Sequence, residues 1–180
     1  MNFFTSDWHL FHKNIVDFTE RKHVTTAEHH NAWVYSVVAK QVKPGDVVYC
    51  LGDTSFASAK VTNPFLEPLF GLGIALVHLK GNQDRWLPDN APIMRTVDLK
   101  DTKAVLCHYP FASWYKQNRG YIHLHGHTHA NYQGPGRILD VGLDNAYKLL
   151  GEHRMFTEDD IMDLVGTKEI YTPDGRHNRE

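Results

Sequence analysis

Five times in this chain a short apolar run breaks off into a cluster of Asp, Asn or His with Gly or Pro beside it. Asn2 to Thr5 enters Ser6-Asp7-Trp8-His9, Asp46 to Leu51 enters Gly52-Asp53, and Ile74 to Leu79 enters Lys80-Gly81-Asn82-Gln83-Asp84. Lys103 to Cys107 enters His108-Tyr109-Pro110, and Tyr121 to Leu124 enters His125-Gly126-His127-Thr128-His129. Short apolar runs bounded in this way read as strands, and the unbroken run Val47 to Leu51 reads as a strand covered on both faces. A sheet built from them would set its ligand-bearing residues along one edge.

The stretches between them carry helix signals. Thr25, with Glu28 three residues on, reads as a capping box opening a helix to about Gln41, with Ala32, Val34, Tyr35, Val37, Val38 and Val42 partly at helical spacing. Ala57 to Leu69 is a weaker helix, because Pro64 and Pro68 interrupt it. Arg137 to Leu143 reads as a last strand, and Thr157 as the N-cap of a helix over about Glu158 to Val165. No internal repeat or long linker divides the 180 residues, so a single domain is expected, with a weakly ordered polar tail from about Gly166.

Composition removes several classes. With 42% apolar residues a chain of this size can bury about 70% of its unfolded surface, so no disulfide framework is needed, and two cysteines would not supply one. Lys+Arg 19 against Asp+Glu 21 leaves a net charge of -2, without the basic excess of a general nucleic-acid or anionic-membrane binder. No window approaches the roughly 20 apolar residues of a membrane span, and MNFFTSDWHLFHK lacks the form of a signal peptide, which together favour a cytoplasmic protein. Thirteen histidines stand out instead, in a residue type that is the commonest metal ligand.

The strand-end residues Asp7, His9, Asp53, Asn82, His108, His127 and His129 make a set of carboxylate, amide and imidazole donors suited to borderline divalent ions such as manganese, iron or zinc. They exceed what one ion needs. The spacing Asp7-x-His9 and His127-x-His129 would put both side chains on one side of an extended segment. Gly52, Gly81 and Gly126 precede Asp53, Asn82 and His127, where close backbone approach is needed.

The blocks SDWH, LGDT, GNQD, CHYP and HGHTH, in that order from Asp7 to His129, resemble the signature of the calcineurin-like metallophosphoesterases, and FFTSDWHLFHKNI with RILDVGLD resembles their compact bacterial and phage members. The resemblance implies an α/β layered fold, an αββα sandwich of two β-sheets flanked by helices with the site at the strand ends. It implies two divalent ions, manganese first, with iron, zinc or nickel as alternatives. One ion would be held by Asp7, His9 and His129, the other by Asn82, His108 and His127, with Asp53 bridging. Two such cations would acidify a bridging water for in-line attack at phosphorus in a phosphodiester or phosphomonoester.

Two departures qualify this. Gln83 stands where the family usually has a His that meets the phosphate or protonates the leaving oxygen, and glutamine cannot act as a general acid. His12 and then His125 are the candidates for that role. The family's Arg after the bridging Asp is Thr54 here, so Lys13, Arg85, Lys116 or Arg119 would supply phosphate contacts. His23, His30, His78 and His153 read as structural; so do Cys107, Asp140 and Asp144. Asp84 reads equally as a group orienting a ligand or as a turn cap. Tyr109, Phe111, Trp114 and Tyr115 either stack a nucleobase or fill the loop base. A small phosphoester, such as a nucleotide, is the expected partner. The alternatives are a nuclease or nucleic-acid-end phosphatase, and a non-catalytic metal-bound scaffold.

Overall fold

A computed structural model describes residues 1–173 apart from Glu20 and Lys22. In chain order the elements are β1 (Asn2–Thr5), α1 (Ile15–Phe18), α2 (Ala27–Gln41), β2 (Val47–Cys50), α3 (Ala59–Phe70), β3 (Ala75–His78), β4 (Met94–Leu99) and β5 (Thr102–Cys107). A 3₁₀ turn (Gln117–Arg119), β6 (Ile122–His125), β7 (Ile138–Asp140), α4 (Leu143–Leu150), β8 (Phe156–Thr157) and α5 (Glu158–Ile161) follow, and α5 runs into a π turn over Met162–Gly166.

The strands form two mixed four-stranded sheets, in the orders β3-β2-β1-β8 and β4-β5-β6-β7. In the first, β1, β2 and β3 are parallel and only β8 is antiparallel; in the second, β5, β6 and β7 are parallel and β4 is antiparallel. Strand alternation sorts the side chains into layers. Phe4 of β1 joins Ala104 and Leu106 of β5 and Ile122 and Leu124 of β6 in a core between the sheets. Its neighbour Phe3, with Val48 and Cys50, faces a second core made with Val34, Val37 and Val38 of α2 and Leu66 and Leu69 of α3. The result is two mixed sheets flanked by helices, the layered α/β architecture that the sequence resemblance implies.

Several local expectations need correction. The cap of α2 is Thr26, not Thr25: its side chain accepts from His29 N at 3.1 Å, so the capping box with Glu28 does not form. The helix through Pro64 and Pro68 persists to Phe70, because both prolines lie on its exposed face while Thr62, Leu66 and Leu69 are buried on the other. The expected strand Arg137–Leu143 ends at Asp140: Gly142 turns the chain, and Leu143 opens α4. β4 and β8 were not anticipated. β4 exposes most of its side chains, and β8 has two residues. Thr157 caps α5 as expected, in a capping box with Asp160.

Of the tail expected from about residue 166, residues 167–173 are described, and Arg137 Nε donates to the Lys168 carbonyl at 2.9 Å. Residues 174–180 lie outside the described residues. Among the described residues no helix is long and apolar enough to cross a membrane.

Candidate metal centre

The loops leaving β1, β2, β3, β5 and β6 meet at one edge. The first two are laced backbone to backbone: Asp7 N donates to Gly52 O, His9 N to Asp53 O and Leu10 N to Thr54 O, at 2.9 to 3.1 Å. Gly126 N in turn donates to His108 O at 3.0 Å. This brings six of the seven anticipated ligands together through their donor atoms. His9 Nε2 lies 3.2 Å from His129 Nε2, 3.7 Å from Asp7 Oδ1 and 4.0 Å from Asp53 Oδ2. His108 Nε2 lies 3.1 Å from Asn82 Oδ1 and 3.5 Å from Asp53 Oδ1. Two groups of donors result, Asp7-His9-His129 and Asp7-Asp53-His108, with Asp53 turning one oxygen toward each.

His127 is placed differently. It is exposed, its ring packs 5.0 Å from that of His108, and it joins neither group; its backbone N–H donates to both Asp7 oxygens, at 3.1 and 3.0 Å. The geometric warrant for the Asp-x-His and His-x-His spacing also fails. Asp7, His9, His127 and His129 are not extended; their φ values are 58°, 51°, 70° and 46°, and Asp53 is at 51°. Left-handed residues coil each loop tightly, and in the first of them the coil brings Asp7 Oδ1 within 3.7 Å of His9 Nε2.

The site fits divalent ions by the chemistry of its donors. His108 Nδ1 donates to the Leu51 carbonyl at 2.9 Å, and His129 Nδ1 to Asp144 Oδ2 at 2.7 Å. These bonds fix the tautomers and leave the Nε2 lone pairs facing inward. At His108 that lone pair confronts two oxygen acceptors, an arrangement that calls for a proton or a cation between them. Donor separations of 3.2 to 4.0 Å approach the roughly 3 to 3.5 Å edges of ligands that share one ion at about 2.1 Å. Electrostatics agree. Burial opposes charge at His108 and His129, yet Asp53 beside the first and Asp144 beside the second raise both above the usual histidine range. Burial likewise opposes charge at Asp7, and its histidine neighbours overcome this, holding the carboxyl well below the usual carboxylate range.

A supporting frame surrounds these groups. Arg21, fully buried, donates to Asp144 through Nε at 2.9 Å and Nη2 at 3.0 Å, to Asp7 O at 2.6 Å and to Trp8 O at 3.2 Å. It ties Asp144, and through it His129, to the coil holding Asp7. Nothing in the sequence points to Arg21, and Asp144 reads there as a structural carboxylate; only the three-dimensional return of α4 to the edge joins them. Asp84 accepts from Asp53 N, Thr54 N, Ser55 N, Gly81 N and Trp86 Nε1 at 2.7 to 3.2 Å, so it fixes the Asp53 loop rather than a histidine. Asp140 fixes the His127–His129 loop by accepting from Thr128 Oγ1 and Ala130 N.

The remaining candidates divide. His12 lies at the site, its ring 5.8 Å from that of His9 and 4.1 Å from that of Phe56; burial, then His9 and His129, lower its pKa. Gln83 meets the site through its backbone, N–H to Asp53 Oδ1 at 2.9 Å. His125 Nδ1 donates to Gly126 O at 2.8 Å, and the ring lines a separate cavity of about 100 Å³ with Tyr132 and Asp140. Lys116 Nζ sits over the rings of Tyr115 and Tyr121, at 5.0 and 5.5 Å. Lys13, Arg85 and Arg119 are exposed. Of the aromatic group, Phe111 and Trp114 pack on buried His123, whereas Tyr109 packs on His108 and His127.

No protein-family model and no curated protein matches the sequence. Among solved structures the chain is similar to a protein of unknown function from Aquifex aeolicus, with a TM-score of 0.67 and 19% identity over 92% of this chain and 99% of that one. It is also similar to a conserved uncharacterised protein from Streptococcus pneumoniae, described as a predicted phosphoesterase, with a TM-score of 0.42 and 18% identity over 79% of this chain and 70% of that one. The Aquifex likeness speaks for the fold over nearly the whole of both chains.

Proposed function

We propose that the chain is a phosphoesterase dependent on two divalent metal ions, of the calcineurin-like kind, hydrolysing a small phosphodiester or phosphomonoester in the cytoplasm. The observation that carries this reading is the Asp53 carboxylate, with Oδ1 3.5 Å from His108 Nε2 and Oδ2 4.0 Å from His9 Nε2, between two groups of inward-facing donors. Two ions, when bound, would acidify a water and offset charge on the phosphoryl oxygens. Asp7, His9 and His129 would hold one of them, and Asn82 and His108 the other, with Asp53 common to both; His127, its ring 5.0 Å from that of His108, would complete the second by turning its ring inward.

The protein's own groups do the positioning. Asp144 and Leu51 O keep the Nε2 atoms of His129 and His108 free to ligate, and the Gln83 N–H holds one Asp53 oxygen in place. The Gln83 side chain has no proton to give the departing alcohol. His12, beside His9, is the proton carrier in reach of that half of the site. Lacking a strong acid, the enzyme favours esters with good leaving groups, hence diesters or aryl esters over simple alkyl monoesters.

The test is manganese-dependent release of nitrophenol from bis-nitrophenyl phosphate and from the monoester, with Asp53→Asn alongside. The expected result is turnover on the diester that chelator abolishes and the variant lowers at least about 10³-fold. Two ions bound without turnover of either ester would discard the reading in favour of a metal-bound scaffold.

A further inference from the structure

Two exposed rings stand at the centre. Tyr109 directly follows His108 and is 42% exposed, with its ring 5.1 Å from that of His108 and 5.0 Å from that of His127. Phe56 follows Asp53 by three residues and is 39% exposed, with its ring 4.1 Å from that of His12 and 5.6 Å from that of His9. Among the other exposed aromatic residues, Tyr115 lies under Lys116 and Tyr147 stacks on His153, both away from the site. The ring contacts of Tyr109 and Phe56 are instead with imidazoles of the candidate centre. One ring borders the His108–His127 half and the other the His9 half.

An exposed aromatic face beside a phosphate-binding centre offers a planar group a stacking surface with little regard to its identity. We infer that the substrate is a phosphoester whose alcohol part carries a planar aromatic ring, a nucleotide by class, and that Tyr109 and Phe56 are the faces on which this ring stacks. The inference rests on the phosphoesterase reading and narrows it. The phosphoryl group lies at the metal ligands, the base lies on a bordering ring, and the sugar spans the gap.

Calorimetry on the manganese-loaded protein tests it with three probes: inorganic phosphate, ribose 5-phosphate and adenosine 5′-monophosphate. The nucleotide should bind roughly five- to a hundredfold more tightly than the sugar phosphate, the range expected of one stacked base. Tyr109→Ala or Phe56→Ala should collapse that ratio toward one while phosphate affinity stays within about twofold. Because both rings touch imidazoles of the centre, Tyr109→Leu and Phe56→Leu are included, which keep apolar contact and remove the aromatic face; they should keep both ions and lose the ratio. Equal affinity for nucleotide and sugar phosphate in the wild-type protein overturns the inference and leaves the phosphoesterase reading standing. A ratio that survives all four substitutions overturns it too. Failure of the manganese-loaded protein to bind even inorganic phosphate overturns the reading and the inference together.

Discussion

Asp7, His9, Asp53, His127 and His129 all sit at positive φ, where an L-residue typically pays about 1 kcal/mol or more. Such strain persists only where the surroundings over-determine it, and here they do. Arg21 holds the carbonyls of Asp7 and Trp8, Asp84 holds the amides of Asp53 to Ser55, and Asp140 holds Thr128 and Ala130. Gly126 closes the coil from the other side, because a Cβ there would overlap Ser6 Oγ and sit 2.5 Å from Asp7 Oδ2. Gly126→Ala should therefore lower manganese affinity at least about tenfold and cost about 1 to 3 kcal/mol of stability, read by calorimetry and thermal melts. Gly151→Ala is the contrast: its φ is +77°, but a Cβ there meets nothing within 4 Å. It should cost about 1 kcal/mol and leave manganese binding unchanged. Equal loss of the ion in both variants would show that general destabilisation, and not the contact with Asp7, governs the site. The donor residues gathered at the site and their neighbouring glycines are legible as residue types in order. The left-handed coils are not, since Asp and His tolerate them without advertising them.

At the scale of elements, α4 does what no motif announces. Its first turn carries Asp144 to His129 Nδ1, and Arg21, just beyond α1, meets the same carboxylate from the other side. Asp144→Asn should therefore weaken divalent-ion binding about 10- to 100-fold at the Asp7-His9-His129 group and leave the His108 group near its original affinity, a difference that stepwise manganese titration resolves. Uniform weakening of both ions would refute a role through His129. The strands that could be read in advance end where their polar clusters begin: β1, β2, β5 and β6, whose apolar pattern follows burial, and β3, which forms as expected although its side chains are exposed or half-buried rather than covered. α4 was hidden because Arg137 to Leu143 is apolar enough to continue as a strand, and only the turn at Gly142 splits it. β4 was hidden because most of its side chains face solvent, and its place comes from pairing with β5.

The layered molecule also fixes how the chain responds to acid, because its layers bury histidines that make no use of charge. His123, on the outer face of β6, is fully buried; its Nδ1 donates to Val105 O at 2.9 Å, its Nε2 accepts from Phe111 N at 3.1 Å, and Phe111 stacks on it at 4.8 Å. Burial depresses its pKa from 6.5 to about 4. His30, buried beside Arg21, is pushed down to about 3 by burial and then by that guanidinium. In both cases the unfolded chain binds the proton more readily than the folded one, so stability is full above about pH 6.5 and is lost as pH falls from there toward 4. His123 alone contributes about 3 kcal/mol to that loss, a sizeable part of a typical domain's 5 to 15 kcal/mol. His108 and His129, raised by their carboxylate partners, act with the opposite sign and lose their contribution as pH rises above 6.5 in chelator-treated protein. Denaturant melts of chelator-treated protein across pH 4 to 8 should show these opposing slopes. His123→Gln, which keeps a donor and an acceptor without the titration, should be less stable at pH 7 yet lose about 3 kcal/mol less than wild type between pH 6.5 and 4. An unchanged acid slope in that variant would mean that His123 takes up its proton without unfolding, and that the layer around it opens locally instead.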